Sequence, residues 1–198
     1  MSSAGSTIRD MSGPVPLTGE PLALDLVNTR PSVGDLLTGP DDLRAWLLLQ
    51  ADRSSEAREF AAAELTDADL EVAREVRAHT ARALDRARDG ERPPPEALDA
   101  LTRAQGAAPA VRELDWNGTA VTATPRRTGP TAARLAAWLA EAATDLLTDP
   151  AVTTVRQCAA EDCVLLFLPA HPRRRWCSAA RCGNRARVAR HYQRHRTT

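Results

Sequence analysis

Lysine is absent from this chain: all 26 basic side chains are arginine, which together with abundant Ala and Pro marks the composition of a GC-rich genome. Long apolar runs are missing too. None reaches the roughly 18 residues that a membrane helix requires, and residues 1 to 20 hold no apolar stretch of the length an export signal needs. These absences predict a soluble, cytoplasmic protein. The sequence also lacks H-E-x-x-H, G-x-S-x-G and a phosphate-cradling glycine loop, so the usual hydrolase and nucleotide-binding chemistries have no motif to rest on, and no enzyme is expected. Cysteine is absent from residues 1 to 157 and again beyond residue 182.

All four cysteines therefore lie in one stretch, Cys158, Cys163, Cys177 and Cys182, spaced C-x4-C, thirteen residues, then C-x4-C. Two close pairs separated by enough chain for a hairpin can surround one ion tetrahedrally, and four thiolates favour structural Zn²⁺, one ion per chain. Two disulfides would be the alternative in an exported protein, but paired cysteines in a reducing compartment read as metal ligands first. An iron–sulfur cluster is a further alternative, made less attractive by the basic surroundings. The metal also answers a folding problem. About 45 residues with Val164, Leu165, Leu166, Phe167, Leu168, Trp176, Val188 and Tyr192 as their only large core candidates need a staple.

The ligands sit in Arg173-Arg-Arg-Trp-Cys177-Ser and Cys182-Gly183-Asn184-Arg185. This stretch, from about Arg156 to Arg196, resembles the CGNR zinc-finger family, which implies a treble-clef-like module after an ABATE domain, in stress-related transcription regulators. The family's hairpin turn usually reads F-x-D-x-S, where this chain has Pro169 and His171. The run Leu24-Asp25-Leu26-Val27-Asn28-Thr29, followed by Asp35-Leu36-Leu37 and Leu43-x-x-Trp46-Leu47, resembles the start of the ABATE domain and extends the resemblance to nearly the whole chain.

Taken in order, residues 1 to 14 are rich in Ser and Gly and are expected to be a disordered tail. Residues 15 to 150 are expected to form a regulatory or ligand-sensing domain, and residues 151 to 198 the finger. The run from Pro21 to Arg30 is too short for its period to separate strand from helix. Pro40, Asp41 and Asp42 suit the first turn of a helix. Thr66 and Asp69 suit a capping box ahead of Leu70, Ala73, Val76, Thr80, Ala83, Leu84 and Ala87 at helical spacing. A shorter helix is expected from Pro95 to Gln105. Val111–Trp116 and Ala120–Thr124 flank Asn117-Gly118 and read as a hairpin. Leu135, Trp138, Leu139, Ala142 and Leu146 mark a last helix before Asp149-Pro150. Helices with one small strand unit before a zinc module make the fold class α+β.

Charge is divided unevenly. Residues 1 to 157 hold 17 Arg and 24 acids, net −7, whereas residues 158 to 198 hold 9 Arg and 2 acids, net +7. A helix running from Cys182 to about His195 would cluster Arg187, Arg190 and Arg194 on one face, with His191 at its border, and guanidinium matches phosphate in fork geometry. A solvated helix end is the bland alternative. Arg174 is expected to oppose Arg173 and Arg175 and is a further candidate for DNA contact. Arg181 and Arg185 are expected near the thiolates, whose formal charge with Zn²⁺ is −2.

The sequence thus reads as a DNA-binding transcription regulator, with duplex DNA as partner, a small-molecule effector for the first domain, and a homodimer left open. A ligand pocket is expected near Asp25, Asn28, Thr29 and Trp46, although Asp25 and Asn28 could equally serve local hydrogen bonds. Two alternatives remain. The finger could dock an acidic protein surface, or bind RNA; the second is disfavoured because Phe167, Trp176 and Tyr192 are its only rings and each suits a core.

Overall fold

The computed structural model describes residues 18–188, so the expected tail 1–14 lies outside the described residues. Among the described residues ahead of residue 184, six α-helices and two antiparallel hairpins follow one another, the α+β arrangement expected. The ambiguous run is helical: α1 spans Leu22–Val27 and turns Ala23, Leu24, Asp25 and Leu26 inward. In α2, Pro40–Gln50, Pro40 occupies the first turn, where its missing N–H costs nothing. The Asp42 carboxylate accepts the Gly39 N–H at 3.1 Å and so caps the same end. A short helix, α3 (Ser55–Ala62), begins at Ser54, whose hydroxyl accepts from the Ala57 N–H.

The long helix α4, Asp67–Ala87, starts where Asp69 accepts both the N–H and the hydroxyl of Thr66, each at 2.7 Å. It packs against α5 (Pro95–Ala107) and α6 (Thr131–Thr148), with α1 laid against α4 and α6. The shared core holds Leu24, Leu26, Leu43, Trp46, Leu47, Leu84, Leu135, Trp138 and Leu139. Burying each of these is worth about 1.5–3 kcal/mol against an exposed reference. On α6 the inward face carries Ala143 where Ala142 was expected.

Between α5 and α6 stands a hairpin of β1 (Val111–Trp116) and β2 (Val121–Arg126), paired from Val111 with Arg126 to Trp116 with Val121. Gly118 takes φ +99°, and the Asn117 side-chain oxygen accepts the Thr119 and Ala120 N–H groups at 3.0 Å, so a four-residue loop closes it. The second strand therefore starts one residue later than its sequence suggests and runs on through Pro125.

After α6 a 3-10 turn at Pro150–Thr154 brings Val152 and Val155 into the helical core. Two-residue strands β3 (Arg156–Gln157) and β4 (Leu166–Phe167) then pair antiparallel and begin the cysteine-bearing region. Among the described residues no helix is long and apolar enough to cross a membrane.

Candidate metal centre

The cysteine region is built from two short turns that face each other. Cys158 and Cys163 flank a knuckle in which Asp162 takes φ 61°, a left-handed conformation uncommon for a side-chain-bearing residue. Cys177 precedes Ser178, whose hydroxyl accepts from the Arg181 N–H and caps a π-helical turn, Ala179–Gly183, that contains Cys182. Residues 184–188 continue as α-helix. The pair β3–β4 thus closes across the first knuckle, and the turn and helix that carry Cys182 follow it in the chain.

The four sulfurs all lie within 4.8 Å of one another. Cys163 Sγ is 3.9 Å from Cys177 Sγ, which is 3.5 Å from Cys182 Sγ. A disulfide needs about 2.05 Å, and all four cysteines are free. Sulfurs at the corners of a tetrahedron with about 2.3 Å metal–sulfur bonds lie about 3.8 Å apart. The donor set and its spacing therefore fit one tetrahedral ion. Burial pushes the Cys182 thiol up to about 11, against a lowering contact with the Cys177 sulfur and with Cys158 and Cys163 adding to the rise, and pushes Cys177 higher still. Cys158 is held below the ordinary thiol value despite its burial, because the Cys177 N–H donates to its sulfur at 3.3 Å. A cation among the four sulfurs is what would let such crowded thiols ionise near neutral pH.

Each position of the Cys-Gly-Asn-Arg tetrapeptide has a task. Cys182 supplies a sulfur. A Cβ on Gly183 would lie 3.3 Å from the Trp176 ring, closer than most real contacts, so any side chain there would have to shift the indole by a few tenths of an ångström. Asn184 donates to the Ala180 carbonyl at 2.9 Å and accepts from Arg187 at 2.7 Å. Arg185 reaches back across the site to the Glu161 carbonyl at 2.6 Å and ties the helix to the opposite knuckle. The turn that departs from F-x-D-x-S closes through imidazole: His171 Nδ1 accepts the Arg173 N–H at 3.1 Å, and the His171 carbonyl accepts the Arg174 N–H at 2.9 Å.

The helical body grips this region along one strand. Asn28, just past the end of α1, donates to the Leu166 carbonyl and accepts the Leu166 N–H, both at 2.8 Å, so its amide mimics a further strand beside β4. Glu20 accepts the Leu168 N–H at 2.9 Å and binds Arg174 at 2.6 Å. Ser32 donates to the carbonyl of Asp162 at 2.6 Å and braces the strained knuckle. Leu166 and Leu168 pack against the main core, whereas Leu165 and Phe167 close a smaller one with Cys158, Cys177 and Cys182.

Arg174, expected at a phosphate, is committed inside this seam. Its guanidinium lies over the Phe167 ring at 4.4 Å and donates to the carbonyls of Trp176 at 3.1 Å, Cys177 at 2.7 Å and Leu168 at 3.4 Å. With Glu20 as a further acceptor, little of its donor capacity is left for an outward contact. Arg173 and Arg175, on either side, are exposed, although residues 172–176 form a turn and irregular chain and not the strand expected. Arg187 is exposed and Arg181 half-buried, while Arg190, His191 and Arg194 lie outside the described residues. Val188, expected to pack on the hairpin, is 53% exposed. Tyr192, its expected companion, lies outside the described residues, and Leu166 and Leu168 of this region pack against the helical core.

The residues expected to line a ligand pocket do not share one. Trp46 is in the main core. Thr29 donates to the Leu26 carbonyl at 2.6 Å and accepts from Arg77 at 2.8 Å, and Arg77 also binds Asp35. Asp25 is fully buried, accepts the Glu20 N–H at 3.2 Å and has Arg53 3.0 Å from its other oxygen. Of the four, Asn28 alone borders a cleft of about 660 Å³ between α4 and the cysteine region. Its walls include Val27, Ala78, Ala81, Val164 and Leu166, with Arg30, Arg82 and Arg88 and the carboxylates of Glu75 and Asp85 around them. Glu20 and Arg77 carried no sequence signal beyond being charged, because their partners are distant in the chain.

Burial raises the Asp25 carboxyl to about 7, against the lowering influence of Arg53 and of the Glu20 N–H. The folded protein then holds a proton that the unfolded chain releases between about pH 4 and pH 7, so this group's contribution to stability falls as pH rises through that window and is flat above it. Asp25→Asn keeps an acceptor for the Glu20 N–H and removes the buried charge. The variant is expected to melt higher than wild type at pH 8 and to show a flatter profile of Tm against pH; a lower Tm at pH 8 would mean that the Arg53 contact outweighs the burial.

Compared with known families, residues 20–150 match the ABATE model, described as "Putative stress-induced transcription regulator", and residues 154–195 match the CGNR zinc finger. No curated protein matches the chain.

Proposed function

Because the chain belongs to the ABATE family and carries a CGNR zinc finger, we propose that it is a transcription regulator whose finger holds one structural Zn²⁺ and contacts duplex DNA. One observation carries this reading. The net charge of residues 158–198 is +7, and Arg173, Arg175, Arg185 and Arg187 are exposed, while the only acids of that stretch, Glu161 and Asp162, lie at the knuckle. Four thiolates close the coordination shell and leave no position for a reacting water, which supports a structural and not a catalytic ion.

Arg187 is the described member of the phosphate-contacting row, and Arg190 and Arg194 continue it in the sequence. Each phosphate contact displaces counterions and lowers affinity by roughly 0.9 log unit per tenfold rise in salt. The triple variant Arg187→Ala, Arg190→Ala, Arg194→Ala is expected to lose between about two and three units of that slope when duplex binding by metal-loaded protein is titrated against salt. Unchanged affinity and slope would remove the helix from the DNA interface and favour docking on an acidic protein.

We place effector sensing at the cleft between α4 and the finger. Its apolar walls, and five arginines against the two carboxylates Glu75 and Asp85, suit a small organic anion, and Asn28, which borders it, holds β4. Such a ligand would bear directly on how the finger is held. Octanoate is a suitable probe: it is expected to raise the Tm of wild type and not of Ala81→Trp, which fills the cleft. No shift with octanoate in wild type would count against this site.

A further inference from the structure

The β1–β2 hairpin has two unlike faces. Alternation and the observed register put Arg112, Leu114 and Trp116 of β1 on one face with Pro125, Ala123 and Val121 of β2 opposite them in that order. The other face carries Val111, Glu113, Asp115, Thr122, Thr124 and Arg126, with an ion pair between Glu113 and Arg126 at 3.5 Å. The apolar face is open to solvent: Leu114 is 74% exposed, Trp116 60% and Val121 66%. Two strands alone are marginal in water, and a third strand or a packing partner is what normally stabilises them.

The arm nevertheless has a firm root. Arg127, immediately after β2, has a side chain only 5% exposed and is held between Glu56 at 3.2 Å, the Ala108 carbonyl at 2.9 Å and Glu141. The hairpin therefore projects from a fixed base with its apolar side uncovered.

We propose that a second copy of this chain covers it, through a two-fold contact in which the two hairpins pack face to face and antiparallel. From base to tip the face reads Arg112 with Pro125, then Leu114 with Ala123, then Trp116 with Val121. Antiparallel apposition sets the Leu114 rows against each other at the centre and puts Trp116 over the partner's Arg112 at both ends. That is a cation against an aromatic face, twice, with no like charges opposed. Joining by strand addition is disfavoured along β2, since Pro125 has no N–H to offer there. The apolar area is also of the needed size. Taken from the exposures above, one face presents roughly 400–500 Å², and two apposed faces approach the lower bound of about 1,000 Å² for a specific interface.

Sedimentation of the full, metal-loaded chain across about 5 to 200 µM is the test, because a dimer held by a small interface shifts with concentration. Wild type is expected to pass from monomer to dimer in that range. Leu114→Glu opposes two carboxylates at the two-fold centre and is expected to raise the dissociation constant at least about a hundredfold. Thr124→Glu, on the other face, should leave it within about threefold; circular dichroism and zinc content check that both variants are folded. A wild type that stays monomeric throughout, a dimer that survives Leu114→Glu, or equal loss in the two variants would each overturn the proposal.

Discussion

Cys177→Ser and Cys182→Ser are each expected to abolish stoichiometric metal binding and to unfold residues 156–188. The apolar material of that region is thin, with Leu165, Phe167 and Trp176 around three buried cysteines, so little remains when the ion is lost. Binding of structural Zn²⁺ to comparable ligands supplies about 10–16 kcal/mol, most of it acting as folding free energy. The helical body has its own larger core and should keep most of its far-ultraviolet signal. Its Tm should nevertheless fall by several degrees, since Leu166 and Leu168 stop covering it. Elemental analysis of protein purified under reducing conditions, paired with circular dichroism, checks both halves. One zinc per wild-type chain is expected; retention of the metal by either variant would contradict the four-ligand assignment.

The next largest effect is expected at Asn28. Its amide satisfies both the N–H and the carbonyl of Leu166, and truncation to Ala leaves these partly buried groups without partners. Each stranded group costs about 1–3 kcal/mol, so Asn28→Ala should destabilise the chain by about 2–4 kcal/mol. Asn28→Asp should do little better, because a carboxylate can accept the N–H but only opposes the carbonyl. Release of zinc to a chelator should be faster in both, as the strand between the two ligand pairs is no longer held. Urea unfolding and chelator kinetics measure the two effects; zinc release at the wild-type rate would mean that the clamp does not reach the site.

The metal ligands could be read in the sequence because their information is local: two C-x4-C pairs set a spacing that only a few chemistries use. The same holds for the helix starts at Pro40 and Thr66, where capping residues and apolar period lie within a few positions. The clamp could not be read, since Asn28 and Leu166 stand 138 residues apart and neither is unusual where it stands. Six residues of α1 are too few to display a period, which is why that run stayed ambiguous between strand and helix. Arg174 shows the limit of reading charge: arginines in a row look alike, and only the fold sends the middle one onto Phe167 and Glu20. In the β1–β2 hairpin, alternation identifies the apolar face, but whether a neighbour covers it is a tertiary matter.

Whether the helical body holds the finger as a fixed platform is reported most directly by the Leu166 amide. Hydrogen exchange followed by NMR on the zinc-loaded protein should show that amide protected to a degree comparable with core amides of α4, and Asn28→Ala should lose the protection while zinc stays bound. Exchange of the wild-type Leu166 amide at the rate of an exposed loop would mean that the helical body does not hold the finger.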